Sequence, residues 1–200
     1  MIGILDYGLG NIKAFVNIYR RLQVPACVVR SPAQIKDVDK LILPGVGAFD
    51  WAIDKLSQSG LRHALEEAVL EKGYPILGVC VGMHMMGRKS EEGGLAGLGW
   101  IDGVVKQFNR AHGICLPHMG WNDVYPLRND GIFKQLETPR FYFLHSYFFV
   151  PKDESTVVGR SEYGGHFASA IAKGHIYGVQ FHPEKSHHWG IRLLANFSEI

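Results

Sequence analysis

A cysteine between two glycines is the strongest chemical signal in this sequence. The pentapeptide Gly-Val-Cys-Val-Gly at 78–82 follows an apolar run at 74–77. This order is typical of a nucleophile elbow, in which a buried strand turns sharply into a helix and displays one side chain at the apex. Glycines flank the apex because a Cβ there would collide with neighbouring backbone. A thiol near a helix N-terminus gains thiolate character, so Cys80 is a candidate nucleophile for a carbonyl carbon.

A histidine and a carboxylate near the C-terminus provide the groups that such a nucleophile needs. The strand-like run 177–181 ends at His182, and Pro183 then blocks further ladder pairing, so the imidazole is displayed at a strand end. Glu184 lies close enough along an extended turn to hold the far ring nitrogen. A single cysteine is more often a small core residue. Because both segments are present, we predict a triad of Cys80, His182 and Glu184, with His182 as general base and acid.

Acyl transfer also needs two N–H donors aimed at the oxyanion that develops during attack. The backbone amide of Val81, the first residue of the elbow helix, is predicted to be one donor. The other is predicted to come from the loop 45–47, through Val46 and Gly47. Glycines flank Val46, so its peptide unit can take more than one orientation. We therefore expect the oxyanion hole to depend on the state of this loop.

The two signature segments resemble those of the class I, triad-type glutamine amidotransferases. Four further segments are similar to the glutaminase subunits of imidazole glycerol phosphate synthases within that family: Asp6, Tyr7, Gly8 and Asn11; Leu-Pro-Gly-Val-Gly-Ala-Phe at 43–49; Pro-His-Met-Gly-Trp-Asn at 117–122; and Leu-His-Ser-Tyr at 144–147. The similarity extends over nearly the whole chain. It implies hydrolysis of glutamine to glutamate and ammonia through a γ-glutamyl thioester on Cys80.

The resemblance also implies which residues hold the substrate. Glu92 would pair with the ammonium group of glutamine, and the backbone at Ser146 and Tyr147 would hold its amino-acid end. His145 and His84 complete this predicted set. Position 84 departs from the family, which usually has glutamine there, whereas a neutral histidine offers one donor and one acceptor on a rigid ring. The effect of this departure on the affinity for glutamine, or on the rate of its hydrolysis, is left open by the sequence.

A separate partner is implied because ammonia is useful only if it is delivered before it is lost. The resemblance indicates a (βα)₈-barrel cyclase subunit that uses the ammonia to form imidazole glycerol phosphate in histidine biosynthesis, and this chain is too short to contain such a barrel. We place the interface at Trp121, Asn11 and Lys185, since an exposed tryptophan is a good anchor. A core position is the alternative for Trp121. No cofactor and no metal ion is expected.

Two other classes of function remain open from the sequence. A paralogous glutaminase that supplies ammonia to a sugar amidotransferase, as in a lipopolysaccharide-type pathway, would contain the same triad. A cysteine amidase or peptidase with a related elbow, or an inactive binding module, is the third interpretation. Release of ammonia from glutamine separates an enzyme from a binding module.

Composition argues against several classes of protein. The 200 residues are 46% hydrophobic with a formal net charge of +2, which suits one sizeable core and argues against a nucleic-acid binder with a basic stripe. Three cysteines are too few and odd in number for a disulfide framework and suit a reducing cytoplasm. The N-terminus begins as an apolar strand ending at Asp6 and not as a signal peptide. No apolar run reaches the roughly 20 residues of a membrane helix.

The elements that must position these residues have the pattern of an α/β fold. Apolar strands alternate with helical patterns, which predicts a mostly parallel open sheet with flanking helices and a nucleophile elbow. In the first half, strands are predicted at 2–5, 26–29, 41–43 and 76–79, and helices at 11–22, 49–57, 61–71 and 81–87. A closing helix is predicted at 186–197. Strand-like runs dominate after about Trp100, at 103–108, 141–150, 156–160, 166–172 and 176–181. No repeat or linker interrupts the sequence, so we predict a single domain over residues 1–200.

Overall fold

A computed structural model of the chain describes residues 1–109 and 113–200. Its strands are β1 (Ile2–Leu5), β2 (Ala26–Val29), β3 (Lys40–Gly45), β4 (Ile76–Cys80), β5 (Lys89–Ser90), β6 (Gly103–Gln107), β7 (His118–Asp123), β8 (Tyr125–Pro126), β9 (Arg140–His145), β10 (Tyr147–Pro151), β11 (Val157–Glu162), β12 (His166–Lys173) and β13 (Ile176–Val179). Its helices are α1 (Ile12–Arg21), α2 (Pro32–Ile35), α3 (Phe49–Gln58), α4 (Arg62–Glu66), α5 (Val81–Met85) and α6 (His187–Glu199).

Within the described residues, an eight-stranded sheet forms the centre of the fold, in the order β2-β1-β3-β4-β13-β12-β11-β8. The strands from β2 to β13 in that order run parallel, and β12, β11 and β8 add to them antiparallel. Every residue of β1 and β4 is buried, which is the pattern of strands covered on both faces. The predicted open α/β sheet with flanking helices is confirmed, and it is parallel over the half that contains β4 and β13.

Helices α1 and α6 contact each other as they cover the sheet. Phe15 and Tyr19 of α1 and Leu193 and Phe197 of α6 are fully buried. The hydroxyl of Tyr19 donates to the backbone carbonyl of Leu194 at 3.3 Å, which satisfies a buried polar group. None of the helices in the described part of the chain combines the length and the apolar character that crossing a bilayer requires.

The sequence pattern predicts the alternating first half better than the second. It does not predict β7, which pairs antiparallel with β9, because Gly120 and the polar residues after it are depleted in strands. The run 141–150, which has the pattern of one strand, is divided at Ser146 into β9 and β10, and these join different small sheets. The single turn of α2 has no apolar period, and it begins at a capping box on Ser31.

The end of β3 and the start of α5 approach too closely for side chains. A Cβ on Gly82 would overlap the carbonyl oxygen of Leu43, and a Cβ on Gly45 would overlap the backbone of Gly82. Cys80 pairs with Gly45 in the register of β3 and β4 and has φ 54° and ψ −112°, a conformation that residues with a Cβ rarely adopt. The sharp turn that the glycine spacing predicts is therefore present and is held by backbone contacts.

Replacing Gly82 with alanine should therefore strain the elbow. We expect Gly82→Ala to lower the free energy of unfolding by about 1–3 kcal/mol, because the new methyl group overlaps backbone that has no room to move. Urea denaturation followed by circular dichroism measures this. Gly94→Ala is the matched control: Gly94 is exposed and its Cβ would meet nothing within 4 Å. Equal stability of the two variants would contradict the close approach of β3 and α5.

Candidate active site

Cys80 lies at the turn between β4 and α5 and lines a cavity of about 290 Å³. The register of the parallel strands pairs Val79 of β4 with Val179 of β13, so both strands end at the same edge of the sheet. That edge is the usual ligand site in open α/β folds, because the loops that follow the carboxyl ends form a crevice. His182 follows β13 closely and lines the same cavity.

His182 is held through both its ring and its backbone. Its Nδ1 lies 2.9 Å from Oε1 of Glu184, and both side chains are almost fully buried. The backbone N–H of His182 donates to the carbonyl of Tyr142 at 2.9 Å. The hydroxyl of Ser186 donates to the carbonyl of His182 at 2.6 Å and accepts from the Tyr142 N–H at 3.0 Å. Strand β9 and the turn after β13 therefore fix the ring together.

The groups around His182 favour its protonated form. Burial by itself lowers the pKa of His182, but the hydrogen bonds and negative charges of Cys80 and Glu184 outweigh burial and raise the pKa to about 10. With Nδ1 on the carboxylate, Nε2 is the ring nitrogen left for the thiol. An imidazole in this environment can take the proton of Cys80 and hold it as an imidazolium.

The cavity brings together most of the residues predicted from the sequence. Besides Cys80 and His182 it is lined by Val46, Gly47, Val81, His84, Glu92, His145, Ser146, Tyr147 and Lys185, together with Pro117 and Leu144. Glu184 lies behind His182, on its Nδ1. Asn11 lines a different cavity, of about 580 Å³, beside α1. Lys185, which we predicted at a partner interface, also lines the cavity of Cys80, with its ammonium 5.7 Å above the ring of Tyr142.

The loop 45–47 is anchored at its start and open at its middle. The hydroxyl of Tyr7 donates to the carbonyl of Pro44 at 2.5 Å, and Gly45 still pairs with Cys80. Val46 is 37% exposed, and Gly47 has φ 83°, a conformation that favours glycine. Gly45 is thus tied to the sheet, whereas Val46 is partly exposed to solvent.

Glu92 connects the loop after β5 to the start of α3. Its Oε2 accepts from the backbone N–H of Phe49 at 3.0 Å, and Asp50 accepts from the N–H groups of Gly94 and Leu95 at 2.8 and 3.0 Å. Burial, with a further contribution from Asp50, raises the pKa of Glu92. Glu92, for which we predicted a contact with the substrate ammonium, thus lies on the cavity wall. Within the described residues, no cluster of three or more histidine, cysteine, aspartate or glutamate side chains could hold a metal ion.

A set of hydrogen-bonded side chains connects β7 to the cavity wall. Nδ1 of His118 lies 2.9 Å from Nε2 of His145, and Nδ1 of His145 lies 2.8 Å from the carbonyl oxygen of Tyr147. At the other end, Nε2 of His118 lies 3.3 Å from Nδ2 of Asn122. We call these four residues, Asn122, His118, His145 and Tyr147, the histidine link.

The two ends of the histidine link determine where its protons lie. A carbonyl oxygen can only accept, so Nδ1 of His145 carries the proton and its Nε2 accepts. His118 then donates from Nδ1 and accepts at Nε2 from the amide of Asn122. Burial lowers the pKa of His118 to about 4 and lowers that of His145 well below its ordinary value. Both rings are therefore neutral near pH 7, and a second proton on either would place two donors face to face.

An exposed apolar and aromatic surface lies on β7 beside the cavity. Met119 is 66% exposed and Trp121 is 41% exposed, and their cross-strand neighbours on β9 are Leu144 and Tyr142. The indole of Trp121 stacks on the ring of His187 with the centroids 5.2 Å apart and the planes 5° apart. We call Met119, Trp121, Leu144 and His187 the β7 face. Trp121 is thus not a core residue.

Several residues that position the site carry no signal in the local sequence. Tyr7, Ser186 and Gln180 each contact a segment that is remote in the chain. The amide of Gln180 lies between Cys80 and His84. The pairing of β4 with β13 could have indicated Gln180, because this register places it beside Cys80, but only once the strand order is known.

Proteins of one family match the chain along its length. A family model described as glutamine amidotransferase class-I matches residues 3–199. Over 204 residues the chain is 52% identical to the imidazole glycerol phosphate synthase subunit HisH of Bdellovibrio bacteriovorus, with 100% of both chains covered. It is 47% identical to the protein of that name from Leptospira interrogans, again over 100% of both chains. It is 45% identical to subunit HisH 2 of Pseudomonas aeruginosa over 100% of both chains.

Solved structures match in fold. A crystal structure described as a glutamine amidotransferase has a TM-score of 0.76 and 19% identity, and the match covers 100% of this chain and 99% of that one. PurLQS from Thermotoga maritima has a TM-score of 0.72 and 19% identity, with 98% and 96% covered. At these identities the likeness concerns the fold alone.

The histidine link should make the stability of the chain sensitive to acid. His118 takes up a proton near pH 6.5 when unfolded but only near pH 4 when folded, so the free energy of unfolding should fall as the pH decreases through this window. His118→Phe keeps a ring between Phe143 and Tyr163 but does not titrate. We expect its free energy of unfolding at pH 7 to be lower by about 1–3 kcal/mol, because His145 and Asn122 lose a partner. Between pH 6.5 and 4, the free energy of unfolding of this variant should fall less than that of the parent. Urea denaturation at several pH values tests this, and an unchanged pH dependence would contradict it.

Proposed function

This chain belongs to the class-I glutamine amidotransferase family, and we propose that it is the glutamine-hydrolysing subunit of an imidazole glycerol phosphate synthase, which supplies ammonia for histidine biosynthesis. The family resemblance predicted from the sequence is confirmed. One observation carries the proposal: Cys80 and His182 line one cavity, with Glu184 on the far nitrogen of His182, in a chain that is 52% identical, end to end, to a subunit of that name.

The proposed reaction uses the thiol and the imidazole in turn. His182 takes the thiol proton at Nε2 while the sulfur of Cys80 bonds to the side-chain amide carbon of glutamine. The tetrahedral oxyanion accepts from the Val81 N–H and from an N–H of the loop 45–47. Its collapse breaks the C–N bond, and ammonia leaves with the proton that His182 returns. Water, deprotonated by His182, then hydrolyses the γ-glutamyl thioester to glutamate and restores the thiol.

The shape and charge of the cavity favour a free amino acid over a peptide. A volume of about 290 Å³ lies at the small end of the range for small-molecule pockets, about 300–1,000 Å³. Glu92 supplies an anionic group for the ammonium of glutamine, and the corner at His145, Ser146 and Tyr147 supplies backbone groups for its carboxylate. His84 lines the same wall. These features disfavour a peptidase, whose substrate extends beyond the reacting bond on both sides.

The partner that receives the ammonia is proposed to be a separate (βα)₈-barrel cyclase. The β7 face offers it an exposed tryptophan and methionine next to the cavity, which is the composition of an interface anchor. Lys185 on the cavity rim and Asn11 beside α1 extend this proposed surface. We infer that residues 1–200 act as one domain in the cytoplasm, where the three free cysteines stay reduced.

A glutaminase that supplies a sugar amidotransferase is the alternative, and His84 is the observation that favours it. The family usually has glutamine at this position. Histidine in its place, close to Cys80, fits a glutaminase that supplies ammonia to a different acceptor. The two proposals differ in the acceptor of ammonia. Mixing the chain with a candidate cyclase or with a candidate sugar amidotransferase, and measuring glutamine-dependent product, separates them.

Removing the thiol should separate the two halves of the proposed reaction. We expect Cys80→Ala, in complex with the cyclase, to lose glutamine-dependent product formation by more than about 10³-fold and to keep the activity that uses added ammonium salt. The first activity needs the thioester, and the second does not. Steady-state assays with either nitrogen source measure both. Substantial glutamine turnover by Cys80→Ala would refute the assignment of the nucleophile.

Truncating the tryptophan of the β7 face should weaken the complex. We expect Trp121→Ala to raise the dissociation constant for the cyclase by at least about 30-fold, because central aromatic anchors contribute about 2 kcal/mol or more. Isothermal titration calorimetry measures the constant. Tyr125→Ala is the matched control, since Tyr125 is 48% exposed but lies on β8 at the end of the central sheet. Equal, small effects of the two changes would exclude the β7 face as the interface.

A further inference from the structure

A buried glutamine lies beside the nucleophile, between it and a buried histidine. The register of β13 on β4 pairs Val179 with Val79, so Gln180 stands next to Cys80 at the end of the neighbouring parallel strand. His84 lies in α5, the short helix that begins directly after Cys80. The strand register and the sharp turn into α5 therefore bring the three side chains together.

The contacts of this cluster form a short series. The ring Nε2 of His84 lies 2.7 Å from Oε1 of Gln180, and Nε2 of Gln180 donates to Sγ of Cys80 at 3.8 Å. Gln180 is fully buried, and His84 is 2% exposed. Nδ1 of His84 has no hydrogen-bond partner among the described residues. Among residues 1–109 and 113–200, the imidazole therefore has a polar contact with Gln180 alone and is available to orient it.

The chemistry of a carboxamide fixes the direction of this series. Its nitrogen only donates and its oxygen only accepts, so an amide that donates to sulfur must present its oxygen to His84. The Nε2 of His84 then carries a proton. Burial lowers the pKa of His84 to about 4, so near pH 7 the ring is neutral with its single proton on Nε2. The series adds a donor beside the sulfur without adding a charge.

We propose that Gln180 is a further catalytic residue that stabilises the anionic sulfur of Cys80, and that His84 is the positioning residue that holds the Gln180 amide in place. The proposal rests on the glutaminase function proposed above. When His182 removes the thiol proton, the negative charge that appears on sulfur is met by the N–H of Gln180. The sulfur of the thioester is neutral and carries no charge for this donor to stabilise. When water releases the sulfur from the thioester, the anionic sulfur again accepts from the Gln180 N–H.

This role differs from the one that the family resemblance implies for position 84. A residue that binds glutamine directly affects substrate affinity, whereas a residue that acts through Gln180 affects the sulfur whether or not glutamine is present. A glutamine at position 84 also has an N–H that can donate to Oε1 of Gln180. His84→Gln should therefore keep the series, and His84→Phe should break it while keeping a planar ring.

The reactivity of Cys80 toward iodoacetamide in the free subunit tests the proposal without substrate. We expect Gln180→Met and His84→Phe each to lower the alkylation rate constant about tenfold, the usual effect of losing a hydrogen bond to a charged group. His84→Gln should stay within about twofold of the parent. Mass spectrometry must assign the label to Cys80, because Cys115 is exposed and can also be alkylated. An alkylation rate of Gln180→Met equal to that of the parent would overturn the proposal.

Ser169 provides the matched control. It lies beside Gln180 on β12, and its backbone carbonyl accepts from the Gln180 N–H at 2.9 Å. Its hydroxyl is buried and has no partner in the described part of the chain. Ser169→Ala should leave alkylation within about twofold of the parent. Circular dichroism and urea denaturation check that each variant folds, and Gln180→Asn, which draws the amide back from the sulfur, replaces Gln180→Met if the latter does not fold.

A double variant and steady-state kinetics separate positioning from substrate binding. We expect His84→Phe combined with Gln180→Met to be no slower in alkylation than Gln180→Met alone, because His84 acts through Gln180. In the complex with the cyclase, both single variants should lower kcat for glutamine and leave KM nearly unchanged. Additive losses in alkylation would show that His84 acts independently of Gln180 and would overturn its positioning role. A raised KM with unchanged alkylation for His84→Phe would show instead that His84 binds the substrate.

Failure of this proposal and failure of the glutaminase function give different results. If the parent complex hydrolyses glutamine and Gln180→Met retains kcat and alkylation, the Gln180 proposal is wrong and the function stands. If no complex hydrolyses glutamine but the order of alkylation rates is as expected, Gln180 still acts on the sulfur and the assigned reaction is wrong.

Discussion

The parallel pairing of β4 with β13 is the contact on which the rest of the site depends. Cys80 and His182 lie far apart in the sequence, and they meet because Val79 and Val179 pair in register at the end of the two strands. A slip of one residue would turn the side chains of one strand to the other face of the sheet. Strand β4 is fully buried, and β13 is buried except at Tyr177, so the hydrophobic core fixes the register and, through it, the distance between the thiol and the imidazole.

Cys80 and the loop 45–47 form one backbone unit. Gly45 and Gly82 let the end of β3 pass against the start of α5 where no Cβ would fit, and Gly45 pairs with Cys80 itself. The hydroxyl of Tyr7 holds the carbonyl of Pro44, so the N-terminal segment joins this unit as well. The partly exposed Val46 thus directly follows a residue that is paired with Cys80 in the sheet.

The sequence predicted the features that depend on local patterns. Glycine spacing indicated the elbow at Cys80, and the proline after His182 indicated a strand end, because each signal lies within a few residues. We did not predict the hydrogen bond between Ser186 and Tyr142 or the contact of Gln180 with Cys80. Each joins segments whose proximity follows only from the strand order. The role of each triad residue stays a prediction until variants are measured.

The histidine link has a consequence for the kind of coupling it can provide. A proton wire must be able to reverse, with every donor becoming an acceptor after a proton has passed. Here the carbonyl of Tyr147 can never donate, and the amide nitrogen of Asn122 can never accept. Protons therefore cannot be relayed along His118 and His145. The histidine link couples the positions of its residues without transferring a proton. A displacement of β7 would therefore be passed to residues 145–147 through hydrogen-bond geometry and not through proton transfer.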